Sequence, residues 1–185
     1  MGNVVLMMSV SLDGFIEGPG REIDWHLVDD EVHSHFNEVL GGMGAFLSGR
    51  RTYELLAGFW PTADQDPDSS PPMVEFARIW RETPKVVYSR TLEGAGWNTT
   101  VVREVVAEEV QALKARAGDL ALGGAELAAA FMAKDLVDEY RIYVNPVRIG
   151  QGTPLFPPSD RRVQLRLAET RAFGNGVVLL HYRRP

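Results

Sequence analysis

The 185-residue chain contains no cysteine, and among its 19 basic residues only Lys85, Lys114 and Lys134 are lysines. Disulfides and thiolate-metal centres are thereby excluded, so the fold must rest on packing of its core. Positive charge is also scarce. Against 19 Lys and Arg stand 25 Asp and Glu, a formal net charge of −6, with no long basic run. Nucleic-acid duplexes and membrane surfaces are bound through clustered positive charge, so neither is an expected partner. No apolar stretch reaches the roughly 18 residues that span a bilayer. The opening MGNVVLMMSVSLDG lacks the basic segment and small-residue cleavage site of a secretory leader, which points to a cytoplasmic protein. What is present is 45% hydrophobic residues spread along the whole length. That composition and length suit one core, and residues 1–185 read as a single domain.

Apolar periodicity and glycine punctuation alternate along the chain. Residues 4–10 form a β-branched apolar run that ends in Ser11-Leu12-Asp13-Gly14, a buried strand entering a loop. Val28, Val32, Phe36, Val39 and Leu40 recur at helical spacing until Gly41-Gly42, which predicts a helix over residues 29–40. Ala45-Phe46-Leu47 then leads through Gly49-Arg50-Arg51-Thr52 into a short helix, and Leu120-Ala121-Leu122 leads through Gly123-Gly124 into an Ala-rich helix over 125–134. Residues 85–89 and 98–102 read as strands, 73–80 and 104–117 as helices. Residues 61–72 have no apolar period and read as a long loop, either a mobile lid or plain surface. Beyond them, 136–144 reads as a long strand and 146–158 as a Gly/Pro loop. Residues 163–173 and 177–183 form a hairpin turned by Gly174-Asn175-Gly176. This order implies an α/β fold: a mainly parallel central sheet with an antiparallel C-terminal hairpin, covered by helices on both faces.

Three of the strand ends carry chemistry. Gly49-Arg50-Arg51-Thr52 opens a helix, where free N–H groups, a hydroxyl and arginine charge can receive phosphate oxygens; an ordinary helix start with exposed arginines is the alternative. Gly123-Gly124-Ala125-Glu126-Leu127 has the same geometry, and its glycines let a ligand approach bare backbone. Ser89-Arg90-Thr91 ends another strand and suits either a third phosphate or a simple polar cap. All three would sit at the carboxyl edge of an open α/β sheet, where such sheets bind ligands. None matches the G-x-G-x-x-G fingerprint or the G-x-x-x-x-G-K-[ST] loop, which disfavours a Rossmann dehydrogenase and a P-loop ATPase.

The ordered set Met8-Ser9-Val10-Ser11-Leu12-Asp13-Gly14-Phe15-Ile16, Gly49-Arg50-Arg51-Thr52-Tyr53-Glu54, Tyr88-Ser89-Arg90-Thr91-Leu92 and Leu122-Gly123-Gly124-Ala125-Glu126-Leu127 resembles the dihydrofolate reductase-like superfamily. Val137-Asp138-Glu139-Tyr140, Asn145-Pro146-Val147 and Gly150-Gln151-Gly152-Thr153-Pro154-Leu155-Phe156 narrow it. They resemble the reductase domain of bacterial riboflavin biosynthesis (the RibD C-terminal domain) and its stand-alone relatives. The resemblance implies a dihydrofolate reductase-like three-layer αβα fold and an NADPH-dependent reductase. It places the cofactor's pyrophosphate on Gly49 to Thr52 and Leu122 to Leu127, including Gly123, Gly124, Ala125 and Glu126. It places the 2′-phosphate on Ser89 and Arg90, and the nicotinamide beside Ser9 and the Asp13, Gly14, Phe15, Ile16 loop. A homodimer is implied as well, built near residues 137–144 and the terminal hairpin.

The proton donor and substrate are read more coarsely. Trp25-His26-Leu27-Val28-Asp29-Asp30 resembles the approach to the first helix of dihydrofolate reductases, making Asp30 the first candidate acid and Asp29 the second. Helix capping explains the same carboxylates. Trp25, His26, Phe36 and Trp60 can wall a planar substrate, although core packing suits such aromatics equally. His33 and His35 lie two apart and cannot form an i,i+4 metal pair, so no metal is assigned. The expected substrate is a small heterocycle or carbonyl, of the phosphoribosylamino-uracil type or a dihydropterin. Alternatives are an NADPH-binding module without turnover and a purely structural dimer.

Overall fold

The N-terminal apolar run becomes β1 (Val4–Val10), an inner strand with Val4, Leu6 and Val10 buried on one face and Met7 packed on the other. The computed structural model describes residues 2–185. After β1 come β2 (Phe15–Glu17), α1 (Asp30–Leu40), β3 (Ala45–Gly49), α2 (Arg50–Ala57), α3 (Pro71–Glu82), β4 (Lys85–Tyr88) and β5 (Thr99–Val102). The second half adds α4 (Ala107–Ala117), β6 (Leu120–Leu122), α5 (Ala125–Ala133), β7 (Glu139–Val144), β8 (Thr153–Pro154), β9 (Arg166–Ala172) and β10 (Val178–Arg183). Eight strands form one sheet in the order β5-β4-β3-β6-β1-β7-β10-β9. The pairs from β5 to β7 are parallel; β10 is antiparallel to both β7 and β9.

Alternating side chains of each strand feed two cores. On one face, residues of β1, β3, β6 and β7 pack against Val110 of α4 and Leu127, Ala128 and Phe131 of α5. On the other, α1 buries Val32 against Tyr143, Phe173 and Leu179, while α2 and α3 bury Tyr53, Phe76, Ile79 and Trp80 against Val87. The result is the three-layer αβα fold with its C-terminal antiparallel hairpin. No helix among the described residues is long and apolar enough to cross a membrane.

The elements depart from the sequence expectations in three places. Residues 61–72 are not a free loop: Trp60–Gln65 forms a 3₁₀ turn with Pro61 and Ala63 buried, and Pro71 already opens α3. Arg81 clamps this turn with a fork onto Asp64 (3.0 and 2.7 Å) and a bond to the Pro61 carbonyl (3.0 Å). So short a 3₁₀ segment needs no amphipathic period, which is why the apolar pattern does not show it. β2 and β8, too short to read, pair with each other beside the main sheet. β7 begins only at Glu139, because the buried Leu136 and Val137 lead into it without strand pairing. β9, the first strand of the expected terminal hairpin, is exposed at nearly every position and forms a solvated sheet edge.

Candidate functional site

The chain leaves β3 in one direction through α2, on one face, and leaves β6 in the other through α5, on the opposite face. Neighbouring strands whose connections diverge in this way open a crevice at their carboxyl ends, the usual ligand position in an open α/β sheet. A cleft of about 690 Å³ lies there, walled by Gly49 to Thr52, Tyr88 to Thr91 and Gly124 to Leu127. Four arginines line it (Arg21, Arg50, Arg51, Arg90) against three glutamates (Glu17, Glu54, Glu126), a positive excess in a chain of charge −6.

The two glycine turns make its floor. Gly49 caps α2 in extended conformation and Gly124 caps α5 at φ 90°, a conformation that a β-carbon resists. A Cβ added at Gly49 or Gly123 would meet nothing within 4 Å; one at Gly124 would stand 2.7 Å from the Thr52 hydroxyl. The first turns of two helices, neither closed by a capping side chain, thus face one open space with their N–H groups. Such a floor accepts anions. These residues fit a dinucleotide diphosphate on their own chemistry.

The side wall mixes held and free groups. Arg50 donates to the Glu54 carboxylate (2.7 Å) and the Thr91 hydroxyl (3.0 Å), tying α2 to the turn after β4. Ser89 is buried, and its hydroxyl accepts the amides of Thr91 (3.3 Å) and Leu92 (3.0 Å), so it shapes the turn. Arg103, which the sequence reading missed, braces that turn through the Ser89 and Leu92 carbonyls. Arg21, Arg51 and Arg90 are exposed, and among the described residues their guanidinium groups have no hydrogen-bond or ion-pair partner. Burial, with the nearby Glu109 charge, pushes the Tyr88 phenol up to about 12, so it is protonated at neutral pH. Glu17, Arg21 and Thr153 join the cleft only around the β2–β8 pair, a proximity between distant segments that the linear motifs do not show.

Several expected residues lie elsewhere. Leu122 (1% exposed) and Ile16 (5%) belong to the core, and Ser9 lies on β1 outside the cleft wall. Asp13 is a staple: its carboxylate accepts Ser11 Oγ (2.7 Å), Ile149 N (3.2 Å) and Gly150 N (2.8 Å). Those hydrogen bonds, Ser11 foremost, hold its carboxyl below the usual range. Gly14, at φ 87°, turns the chain toward β2, where Phe15 pairs with Pro154. Phe36 packs edge-on to Tyr143 (4.7 Å) and Trp60 edge-on to Phe76 (4.6 Å); both are half-buried and lie outside the cleft wall.

Trp25 and His26 pack edge to face at 4.3 Å, and His26 Nε2 meets the Ile16 carbonyl at 3.2 Å. Burial lowers the His26 pKa, so the ring is neutral with its proton on Nε2 and Nδ1 as the free acceptor. Asn145 (1% exposed) carries this segment. It accepts Leu27 N at 2.8 Å and donates to the Val10 and Tyr143 carbonyls, fixing residues 25–28 over the ends of β1 and β7. Asp29 caps α1 by accepting Val32 N at 3.0 Å. Asp30 is exposed, and its charge acts on His33, which packs between Trp60 and Phe76. Neither carboxylate lines the cleft.

Known proteins share this architecture. Residues 3–179 match the RibD C-terminal domain. The chain is 35% identical over 181 residues to the uncharacterized protein YyaP of Bacillus subtilis (strain 168), covering 97% of this chain and 93% of that one. Among solved structures, a protein of Shewanella sp. PV-4 with a provisional riboflavin-biosynthesis name superposes with a TM-score of 0.78 at 19% identity, covering 99% of each chain. A Thermotoga maritima diaminohydroxyphosphoribosylaminopyrimidine deaminase/5-amino-6-(5-phosphoribosylamino)uracil reductase gives 0.68 at 16% identity, covering 100% of this chain and 57% of that one. The motifs, the sheet order and the near-complete match over residues 3–179 place this chain in the RibD C-terminal domain family.

Proposed function

We propose that this chain is an NADPH-dependent reductase acting on a small planar compound with an electron-poor C=N or C=O carbon. The observation that carries the proposal is the cleft between β3 and β6, where two uncapped helix starts face three unpaired arginines. Gly49 to Thr52 and Gly124 to Leu127 would receive the diphosphate, and Arg90 with Arg51 the 2′-phosphate. Ser89 holds their turn in shape. Bound NADPH supplies the hydride; the protein's part is to orient, exclude water and keep protons in place.

On the substrate side, Leu12, Ile23, Leu27 and Val28 are exposed apolar side chains on the two segments tied to Asn145 and Val147. They suit the flat face of a heterocycle. His26 Nδ1 is the acceptor nearest to this wall in sequence, available to a substrate N–H or O–H. A phosphoribosylamino-uracil is the substrate class we favour, with a dihydropterin second. The second reading is a binding module that holds the dinucleotide without turnover. In the cell we place the protein in the cytoplasm. We place a second copy on the exposed β9 edge, as a homodimer that protects it.

The test is a fluorescence titration with NADPH and NADH, followed by NADPH consumption with pteridines, aminopyrimidine ribose phosphates and small carbonyl compounds. Binding and turnover support the reductase. Binding without consumption supports the module, and no binding of either dinucleotide removes both readings. Light scattering that shows only a 20.5 kDa species at low micromolar concentration removes the dimer.

A further inference from the structure

Between β2 and the Trp25-His26 segment the chain reverses tightly. Arg21 N donates to the Gly18 carbonyl (2.8 Å) and Gly18 N to the Glu22 carbonyl (2.9 Å), with Pro19 and Gly20 at the corner. The residue closing such a turn takes the left-handed conformation, and glycine is its ordinary occupant. Here that residue is Arg21 at φ 67°, whereas Gly20, one position earlier, does not use its freedom.

A left-handed arginine is a costly choice unless its side chain is needed where that backbone aims it. Inside the protein nothing rewards it. Its guanidinium has no partner among the described residues, and the carboxylate of Glu22 folds back over Gly18 and Gly20. Yet Arg21 lines the cleft together with Gly49, Arg51 and Gly124. Strain, an unpaired cation and a shared wall with the anion-accepting floor converge on one residue that no linear motif singles out.

We propose that Arg21 clamps the bridging diphosphate of the bound dinucleotide, acting from the Gly18–Glu22 turn while the two helix starts hold the same group from the floor. The proposal rests on the NADPH reading above and adds a residue to it. A planar guanidinium pairs with phosphate oxygens through two parallel bonds, which a backbone floor cannot supply from that side. The turn that carries Arg21 also leads directly to the substrate-side segment at Trp25. Holding the diphosphate therefore steadies that segment.

Calorimetric titrations with NADPH, ADP-ribose and 2′-AMP, on wild type, Arg21→Asn and Arg21→Lys, test the clamp. Asn tolerates the left-handed conformation and carries no charge. Expected for Arg21→Asn is a loss of about tenfold in affinity for NADPH and ADP-ribose, the size of one charge-assisted contact. Its 2′-AMP affinity, which reports only the far phosphate, stays within about twofold on the same scale. The melting temperature stays level or rises by about 2–4 °C as strain is relieved. Arg21→Lys recovers part of the affinity. Unchanged ADP-ribose binding in Arg21→Asn overturns the clamp, as does an equal loss for 2′-AMP. A fall in melting temperature overturns it too, by making the arginine a structural residue. Failure of the wild type to bind any of the three probes overturns the cofactor reading together with the clamp, an outcome visible without any variant.

Discussion

The two ends of the central sheet treat polar groups in opposite ways. At the amino ends of the inner strands the buried charged groups are matched. Lys114 (5% exposed) bonds Asp138 at 2.7 Å, and the same carboxylate accepts Val4 N at 2.7 Å. Asn3 bridges Asp119 and Glu139, and Glu139 pairs with the buried His181 at 2.8 Å. Lys85 (3% exposed) caps α3 through the Trp80 and Thr83 carbonyls, with its Nζ 4.3 Å from the Trp80 ring centre. At the carboxyl ends stand glycines, open helix starts and unpaired arginines. Buried charge must be paired to be tolerated, whereas a site for an anionic ligand must leave its cations free. One end is organised for stability; the other keeps free the cations that the proposed dinucleotide would need.

The sharpest way to break that division is Asp138→Ala. It strands the buried Lys114 ammonium and the Val4 amide together. The cost is about 3 kcal/mol, at the low end for a broken buried pair. The Asp138 carboxylate is itself 31% exposed, which places it there. A melting temperature lower by roughly 6–12 °C is expected, with NADPH affinity of the folded fraction unchanged. A loss of affinity instead would mean that the two ends are coupled.

Gly123→Val probes the opposite end. A Cβ at Gly123 meets nothing within 4 Å and Gly123 does not have a positive φ, so the fold is expected to hold with a melting temperature shift under about 2 °C. Gly123 immediately precedes the Gly124 turn of the floor, so the branched group is expected to crowd that turn and NADPH affinity to fall at least tenfold, about 1.4 kcal/mol. Gly124→Val differs: φ 90° and the Thr52 hydroxyl at 2.7 Å make it lose stability as well as binding. Normal NADPH binding by Gly123→Val would move the diphosphate off these turns.

Alkaline pH reads the same contrast through tyrosines. Burial raises Tyr88 to about 12, and raises Tyr140 and Tyr143 too. Unfolded, each titrates near 10. Their stabilisation is thus complete below pH 10 and is lost as pH rises through the folded values, because the unfolded chain releases its protons first. Guanidinium midpoints should fall between pH 10 and 12. Tyr88→Phe should flatten that slope; an unchanged slope would mean that Tyr88 titrates as freely folded as unfolded.

How much of this was written in the linear sequence depends on the range of the interaction. β1, β3, β6 and the glycine turns after them were legible because a buried strand and its exit turn are local patterns. The floor at Gly49 and Gly124 followed from those turns. The 3₁₀ turn at Trp60–Gln65 was not legible, since Arg81 and Asp64 hold it from 17 positions apart. Phe36 and Trp60 were ambiguous for a related reason: aromatic spacing on a helix is the same whether the face meets a ligand or, as here, α3 and the sheet. Arg21, Thr153 and Asn145 enter the site through β2–β8 pairing and a side-chain amide, both formed between distant segments.

Smaller effects sharpen the assignment of single groups. Arg90→Ala should reduce the preference for NADPH over NADH by about tenfold, one charge-assisted contact, and leave NADH affinity alone. Equal affinity of the wild type for both dinucleotides would detach Arg90 from the 2′-phosphate.

The smallest effects are expected at the start of α1, where the two adjacent carboxylates have separate tasks. Asp29 accepts Val32 N, and Asn caps a helix about as well as Asp, so Asp29→Asn should be silent. Asp29→Ala should cost about 1 kcal/mol, seen as a melting temperature lower by roughly 2–4 °C. Asp30 lies outside the cleft wall, with its charge directed at His33. Once a substrate is in hand, Asp30→Asn should therefore change turnover by less than about twofold, far below the 10²- to 10⁴-fold that a placed acid contributes. A tenfold loss at neutral pH with NADPH affinity intact would restore Asp30 as the proton donor.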